Sequence, residues 1–323
     1  MNILVLSAGR RVELVERFRR AKKKLNINSK IIAVDISKTA PAIHFADSFY
    51  LIPRISDANY IPSILDICLK ERISLIVPTI DTELIKLSEN KQLIEKNTNA
   101  KLLLSNETVI NICRNKNNTQ RFFEQNRFGV PRSLTKEDIT NHHYNFPLFI
   151  KPKDGSSSIN TFKINNDTEL EFFKNYVNEP VIQEFIEGTE FSVDAFCDFD
   201  SNPITIVPRV RLSTRGGEIA KGKIIKDREV INDILRLLSI LKPIGHITIQ
   251  CIKTNKGIQY IEINPRFGGG APMSIDAGAD SCENLYRILQ GEVLSYNENY
   301  RDNLTFVRFD SSIMLNENLE YLK

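Results

Sequence analysis

The chain has 323 residues, more than one hydrophobic core usually organises, so two or three domains of roughly 100 to 150 residues are expected. Its 41% apolar and 26% charged residues exclude intrinsic disorder and a fibrous repeat. Forty-three Lys and Arg against 40 Asp and Glu leave a formal charge of +3, too balanced for a general polyanion binder, so nucleic acid is not an expected partner.

The opening run Asn2 to Leu6 ends in Ser7-Ala8-Gly9-Arg10-Arg11, and Val12, Val15, Phe18 and Leu25 then fall at helical spacing. Further apolar runs at 31–34, 49–52, 75–77 and 102–104 alternate with amphipathic stretches such as Ile61, Ile64, Leu65 and Cys68. This rhythm predicts an α/β domain over residues 1–110, with a parallel sheet covered on both faces. Its first turn carries one of the three glycines of a dinucleotide loop, so Asp35 at the second strand end is read as an acid at a turn and not as a ribose ligand. From about 110 the pattern changes to hairpins. Strands are expected at 148–151, 161–164 and 181–185 with a helix at 167–177, giving a small α+β lobe over 111–185. A larger lobe over 186–323 is expected to hold strands at 190–198, 203–212, 244–253 and 257–263, a helix at 227–241 and a tail strand at 304–314.

Five cysteines at wide spacings form no C-x-x-C pair and read as reduced thiols. No basic segment and apolar run precede the first strand, and no apolar run approaches the roughly 18 residues a membrane span needs. A soluble cytoplasmic protein with no membrane partner is the expectation.

Two stretches carry chemistry. Lys151 stands at a strand end before Pro152-Lys153-Asp154-Gly155-Ser156-Ser157-Ser158, a small-residue loop able to wrap phosphate oxygens with backbone N–H groups. The plain alternative is an Asp-Gly hairpin beside an exposed lysine. The second stretch is Tyr260-Ile261-Glu262-Ile263-Asn264-Pro265-Arg266-Phe267-Gly268-Gly269-Gly270. Strand alternation puts Tyr260, Glu262 and Asn264 on one side. A three-residue loop at Asn255-Lys256-Gly257 sets Thr254 opposite Ile258 and Gln250 opposite Glu262. Gln250, Glu262 and Asn264 then form an oxygen-rich patch suited to Mg²⁺, and Arg266 follows as a cation fit for bidentate phosphate contact. A solvent-facing polar strand is the alternative.

In order along the chain these segments resemble the ATP-grasp superfamily, in particular a single ATP-grasp unit of the carbamoyl phosphate synthase large subunit. The resemblance covers about residues 1 to 290, on Glu262-Ile263-Asn264-Pro265-Arg266, Gln250, Ile150-Lys151-Pro152, and Val181 to Glu190. It implies an N-terminal Rossmann-like domain followed by two lobes that clamp ATP. It implies a metal, Mg²⁺ or alternatively Mn²⁺, on Gln250, Glu262 and Asn264. It implies nucleotide phosphates on Lys116, Lys151, Ser156 and Ser157, the last two in a lid that orders with ATP. Adenine would meet Gln183, Glu184 and the backbone of Ile186, and ribose Glu190. Arg266, with Arg215 and Lys221 from the Arg215 to Gly222 segment, would serve the reacting phosphate and substrate.

The implied activity is ATP-dependent ligation of a carboxylate to an amine or thiol through an acyl phosphate, releasing ADP. Small-molecule carboxylate and amine are the expected partners, with a homodimer as one assembly. Arg10, Asp35, Thr79, Asp81 and Glu83 are the strand-end residues nearest the expected substrate. A regulatory nucleotide-binding protein without turnover, and a synthase half working with a partner chain, are the alternatives.

Overall fold

The computed structural model describes residues 1–153 and 160–322. The first segment alternates as expected: β1 (Asn2–Val5), α1 (Val12–Lys24), β2 (Ile31–Asp35), β3 (Ser48–Leu51), α2 (Tyr60–Lys70), β4 (Ile73–Val77), α3 (Leu84–Glu89), α4 (Lys91–Asn97) and β5 (Lys101–Leu102). The strands pair in parallel in the order β3-β2-β1-β4-β5. β1, β2 and β4 are nearly continuous apolar runs because helices cover both sheet faces. Two helices, α5 (Glu107–Arg114) and α6 (Lys116–Gln125), lead out of this domain, and the Asn115 side chain caps the second through the amides of Asn117 and Asn118.

The small lobe holds α7 (Lys136–Thr140), β6 (Leu148–Pro152), β7 (Phe162–Ile164), α8 (Asp167–Tyr176) and β8 (Pro180–Glu184), its antiparallel strands ordered β7-β6-β8. The larger lobe holds β9 (Thr189–Cys197), β10 (Pro203–Arg215), β11 (Glu218–Ile224), α9 (Arg228–Leu241), β12 (Gly245–Thr254), β13 (Gly257–Asn264), α10 (Ala271–Ala277), α11 (Ser281–Leu289) and β14 (Thr305–Val307). Its six antiparallel strands run β13-β12-β9-β10-β11-β14. The sequence pattern misses β11. Arg215 pairs with Glu218 across Gly216-Gly217, whose φ angles of +57° and +76° suit a two-residue hairpin turn. The expected tail strand over 304–314 shortens to three residues laddered on β11, after which the chain crosses to the first domain and sets Tyr321 against Phe45, ring centroids 5.8 Å apart.

One apolar core joins the first domain to the large lobe: Ile3, Val5 and Phe18 pack in the same cluster as Phe196, Phe267 and Tyr286. The Phe18 ring lies edge-on to Phe267 at 6.1 Å and to Tyr286 at 6.3 Å. Arg17 reinforces the join by donating from Nε and Nη2 to Asp276. The small lobe keeps a separate core of Leu148, Ile150, Ile164, Leu170, Val177 and Ile182.

Candidate functional site

The large-lobe sheet presents one polar face, built by cross-strand register. Arg209 on β10 opposes Ser192 on β9, Ser192 opposes Gln250 on β12, and Gln250 opposes Glu262 on β13. The adjacent row holds Asp194, Thr248 and Asn264. The pairing of Gln250 with Glu262 matches the expected one, but by a different route. At the hairpin tip Thr254 pairs with Gly257, so the loop is two residues, Asn255-Lys256, and not three. A β-bulge between Gln250 and Cys251 restores the register, with Ile261 as the extra residue on β13. The bulge also reverses the side on which Tyr260 points. Tyr260 does not share the face of Glu262; it is buried, stacked on Phe123 at 4.9 Å, and donates its hydroxyl to Asp233 at 2.7 Å. Ile261 takes the cleft side instead.

Two cavities flank this face. An outer one of about 660 Å³ opens between the small lobe and β12–β13, lined by Lys116, Lys151, Gln183, Glu184, Ile186, Glu190, Gln250 and Glu262. An inner one of about 690 Å³ lies between the sheet and the strand-end loops of the first domain, lined by Arg11, Thr79, Asp81, Arg114, Glu218, Asn264, Arg266 and the Gly268–Gly270 turn. Lys116, Arg211, Gly217, Gln250, Ile261 and Glu262 line both, so the cavities meet at the oxygen-rich patch. The Gly268–Gly270 turn needs its glycines for close approach: a Cβ at Gly270 would fall 2.6 Å from Arg209 Nη1, and one at Gly268 2.6 Å from Thr248 Oγ1.

Glu262 Oε1 accepts from Gln250 Nε2 at 2.9 Å and from Asn264 Nδ2 at 2.7 Å. Arg211 donates to Gln250 Oε1 at 2.9 Å and pairs with Glu190 at 2.8 Å. Arg266 reaches Asn264 Oδ1 at 3.3 Å and pairs with Asp81. Convergence of a carboxylate and two carboxamides is a hard-oxygen donor set that fits Mg²⁺, which takes few protein ligands and keeps water and phosphate oxygens for the rest. Turning the two amides over would aim their oxygens, now held by arginines, toward the same point. Among the described residues no group of three or more His, Cys, Asp and Glu offers another metal site.

Lys151 lines the outer cavity together with Lys116 and Glu262. Burial, and then the charge of Lys116, push its ammonium down to about 8, with Glu262 pulling the other way. Deeper in the sheet, burial disfavours the Asp194 carboxylate, but Arg209 and His246 outweigh it and hold the group well below the usual carboxylate range. Asp194 in turn fixes Arg209 through two donors at 2.8 and 3.0 Å, both side chains being 1% exposed.

Not every expected residue reaches the cavities. Arg215 is exposed at the β10–β11 tip and pairs with Asp310, while Lys221 lies exposed on β11 opposite Val307; neither lines a cavity, because the hairpin carries them to its outer side. Ser156, Ser157 and the expected lid lie outside the described residues, apart from Lys153. The Gln183 amide is buried and donates to Ser133 at 3.0 Å. Of the strand-end residues, Thr79 and Asp81 line the inner cavity. Glu83 does not: it is fully buried, its carboxyl raised by that burial, and it ties down Ser7 Oγ at 2.6 Å, Thr79 N at 2.8 Å and Tyr60 OH at 3.0 Å. Asp35 accepts from the Gly9 amide at 2.8 Å, and Arg10 is exposed. Sequence reasoning missed Arg11, Arg114, Arg209, Arg211 and Glu218. Arg209 and Arg211, two apart on one strand, were the available signal for a cationic sheet face.

Two family models match the chain: a PylC-like N-terminal domain over residues 3–101 and an ATP-grasp domain over residues 113–270. A carbamoyl-phosphate synthase of Methanobrevibacter smithii is 24% identical over 171 residues, covering 50% of this chain and 44% of the synthase. D-alanine–D-alanine ligase B of Clostridium perfringens is 24% identical over 192 residues, covering 53% of this chain and 63% of the ligase. The chain thus spans about half the length of these curated relatives. Among solved structures, N5-carboxyaminoimidazole synthetase from Staphylococcus aureus, complexed with ADP, superposes with a TM-score of 0.71 at 17% identity, covering 91% of this chain and 78% of that one. The biotin carboxylase domain dimer of Hydrogenobacter thermophilus 2-oxoglutarate carboxylase, with MgADP and bicarbonate, gives 0.70 at 18%, covering 94% and 73%. At such identities the likeness is one of fold.

Proposed function

From the premise that this chain is a member of the ATP-grasp superfamily, with a PylC-like N-terminal domain ahead of its ATP-grasp domain, we propose that it is an ADP-forming ligase that joins a carboxylate to an amine or thiol. The observation that carries the reading is the junction of two cavities at Lys116, Arg211, Gln250 and Glu262: one holds ATP, the other the acid, and the reacting atoms meet at the shared wall. The domain division at 1–110, 111–185 and 186–323 goes with it, the last two parts forming the clamp. Gln183, Glu184 and Ile186 face the adenine and Glu190 the ribose, with Lys116 and Lys151 on the phosphates. Mg²⁺, held by Gln250, Glu262 and Asn264, neutralises phosphate charge when bound.

The remaining work is positioning and charge stabilisation. Arg266, oriented by Asp81 and Asn264, holds the carboxylate so that one oxygen attacks the γ-phosphorus while the bond to the β-phosphate oxygen breaks and ADP leaves. The amine nitrogen then attacks the acyl carbon, the carbon–oxygen bond to phosphate breaks, and nitrogen gives up a proton. Arg215 and Lys221, which line neither cavity, have no place in this scheme. Small-molecule substrates and a cytoplasmic setting complete the reading: all five thiols are free, and among the described residues no helix is long and apolar enough to cross a membrane. The biotin carboxylase neighbour is a dimer, which supports a homodimer here.

Hydroxylamine trapping tests the proposal. With the right carboxylate in a broad panel, ADP should form in step with a hydroxamate, and Glu262→Ala should slow both by about 10² to 10³. AMP as the stoichiometric product, or unchanged turnover in the variant, overturns it.

A further inference from the structure

The inner cavity carries more positive charge than the residues around it balance. Seven cationic side chains line it against three carboxylates among the described residues. Most of those cations have assigned partners: Arg11 pairs with Glu218 at 3.4 Å, Arg266 with Asp81, Arg209 with Asp194, Arg211 with Glu190, and Lys153 with Glu179 at 3.9 Å. Lys116 donates to the Pro152 carbonyl at 3.0 Å and belongs to the shared wall. Arg114, at the last turn of α5, is different. It lines the cavity and its Nε is buried without a hydrogen-bond partner, as are those of Arg211 and Arg266, but among the described residues it alone of the three forms no ion pair. A buried guanidinium N–H left without an acceptor is costly unless a ligand supplies one, and the fixed fork of the guanidinium suits an anion.

We propose that Arg114 anchors a second anionic group on the acid, remote from the carboxylate that is phosphorylated, so that the substrate is a dianionic acid bearing another carboxylate or a phosphate. The inference rests on the ligase reading. The reacting carboxylate must lie at the wall common to both cavities, beside Glu262, to meet the nucleotide. Arg114 comes from α5 and Arg266 from the turn after β13, and both line the inner cavity and not the outer one, so an acid whose reacting carboxylate is held by Arg266 can place a second anionic group on Arg114. Asp81 and Glu218 are already engaged by arginines, which leaves Arg114 as the lining arginine without an ion pair among the described residues.

Calorimetric titration of matched pairs tests this without needing turnover: L-glutamate against L-glutamine, L-aspartate against L-asparagine, succinate against succinamate, and phosphoglycolate against glycolate, each with and without a non-hydrolysable ATP analogue and Mg²⁺. At least one doubly charged member should bind the wild type about 10- to 100-fold more tightly than its partner. Which pair responds distinguishes carboxylate from phosphate. Arg114→Met should erase that preference, Arg114→Lys should retain part of it, and nucleotide affinity should be the same in all three proteins. Absence of any preference in the wild type, its survival in Arg114→Met, or an equal loss for both members of each pair overturns the proposal. If the wild type fails to bind the nucleotide analogue, the ligase reading falls, and the acid titrations still decide the role of Arg114.

Discussion

Lys151 illustrates how a side chain is tuned by its neighbours before any ligand arrives. Because its ammonium is pushed down to about 8 by burial and Lys116, the free protein holds it charged at neutral pH and neutral well above that value. Nucleotide phosphates favour the charged form, so binding must pull a proton in once the pH exceeds about 8. Affinity for an ATP analogue is therefore expected to be level below pH 8 and to fall by about tenfold per pH unit above it. Lys151→Arg, which stays protonated, should remove the slope. A pH-independent affinity up to 10 in the wild type would contradict the assignment. The residues of the oxygen-rich patch were the most legible ones. Glu262, Asn264 and Arg266 sit in one short strand-and-turn, where alternation alone brings them together. Arg11 was illegible because its partner Glu218 is 207 residues away, and Arg114 because a cation with no ion pair among the described residues has no sequence signature at all.

At the level of elements, the bulge at Ile261 decides which side chains reach the cleft. Without it Tyr260 would share the face of Glu262; with it the ring joins Phe123 and Phe128 in the core, and its hydroxyl reaches Asp233 on α9. Tyr260→Phe leaves the ring in place and removes the donor to Asp233 Oδ2, while Oδ1 keeps its bonds from Arg236, so it should cost about 1 kcal/mol of stability, seen as a lower denaturation midpoint. Catalytic constants should be unchanged, since the hydroxyl faces away from both cavities. Reduced activity at full stability would place Tyr260 on the cleft side after all. Strand existence was readable here from alternation, whereas the bulge was not, because one extra residue leaves the apolar pattern of β13 nearly intact. The expected three-residue loop made the opposite error at the tip, and the two offsets cancel at Gln250. β11 was overlooked for a related reason: Gly216-Gly217 is a hairpin signal, but the charges that follow it read as a substrate segment.

At the scale of the whole molecule, the first domain and the large lobe behave as one packed body, since Phe18, Phe267 and Tyr286 share a core, while the small lobe has its own. Amide exchange should accordingly report two cooperative units. β1, β2, β9 and β12 should exchange together through the rarest opening, and β6 and β8 through a more frequent one that slows when an ATP analogue and Mg²⁺ are added. Loss of protection in β1 and β2 ahead of β9 and β12 would disprove the shared unit. The alternation of strands and helices over 1–110 announced the parallel sheet, yet nothing in it indicated that Phe18 would face a phenylalanine 249 positions later.

The chain enters and leaves the small lobe side by side. Leu134 donates to the Ile182 carbonyl at 2.8 Å and Glu184 to that of Arg132 at 2.9 Å, forming a short two-stranded stem. Such a stem makes this lobe a cassette: an engineer could exchange residues 135–181 for the matching segment of another ATP-grasp protein while leaving the rest of the fold uncut. Division near residue 110, by contrast, would tear open a buried aromatic cluster and expose its apolar faces on both pieces.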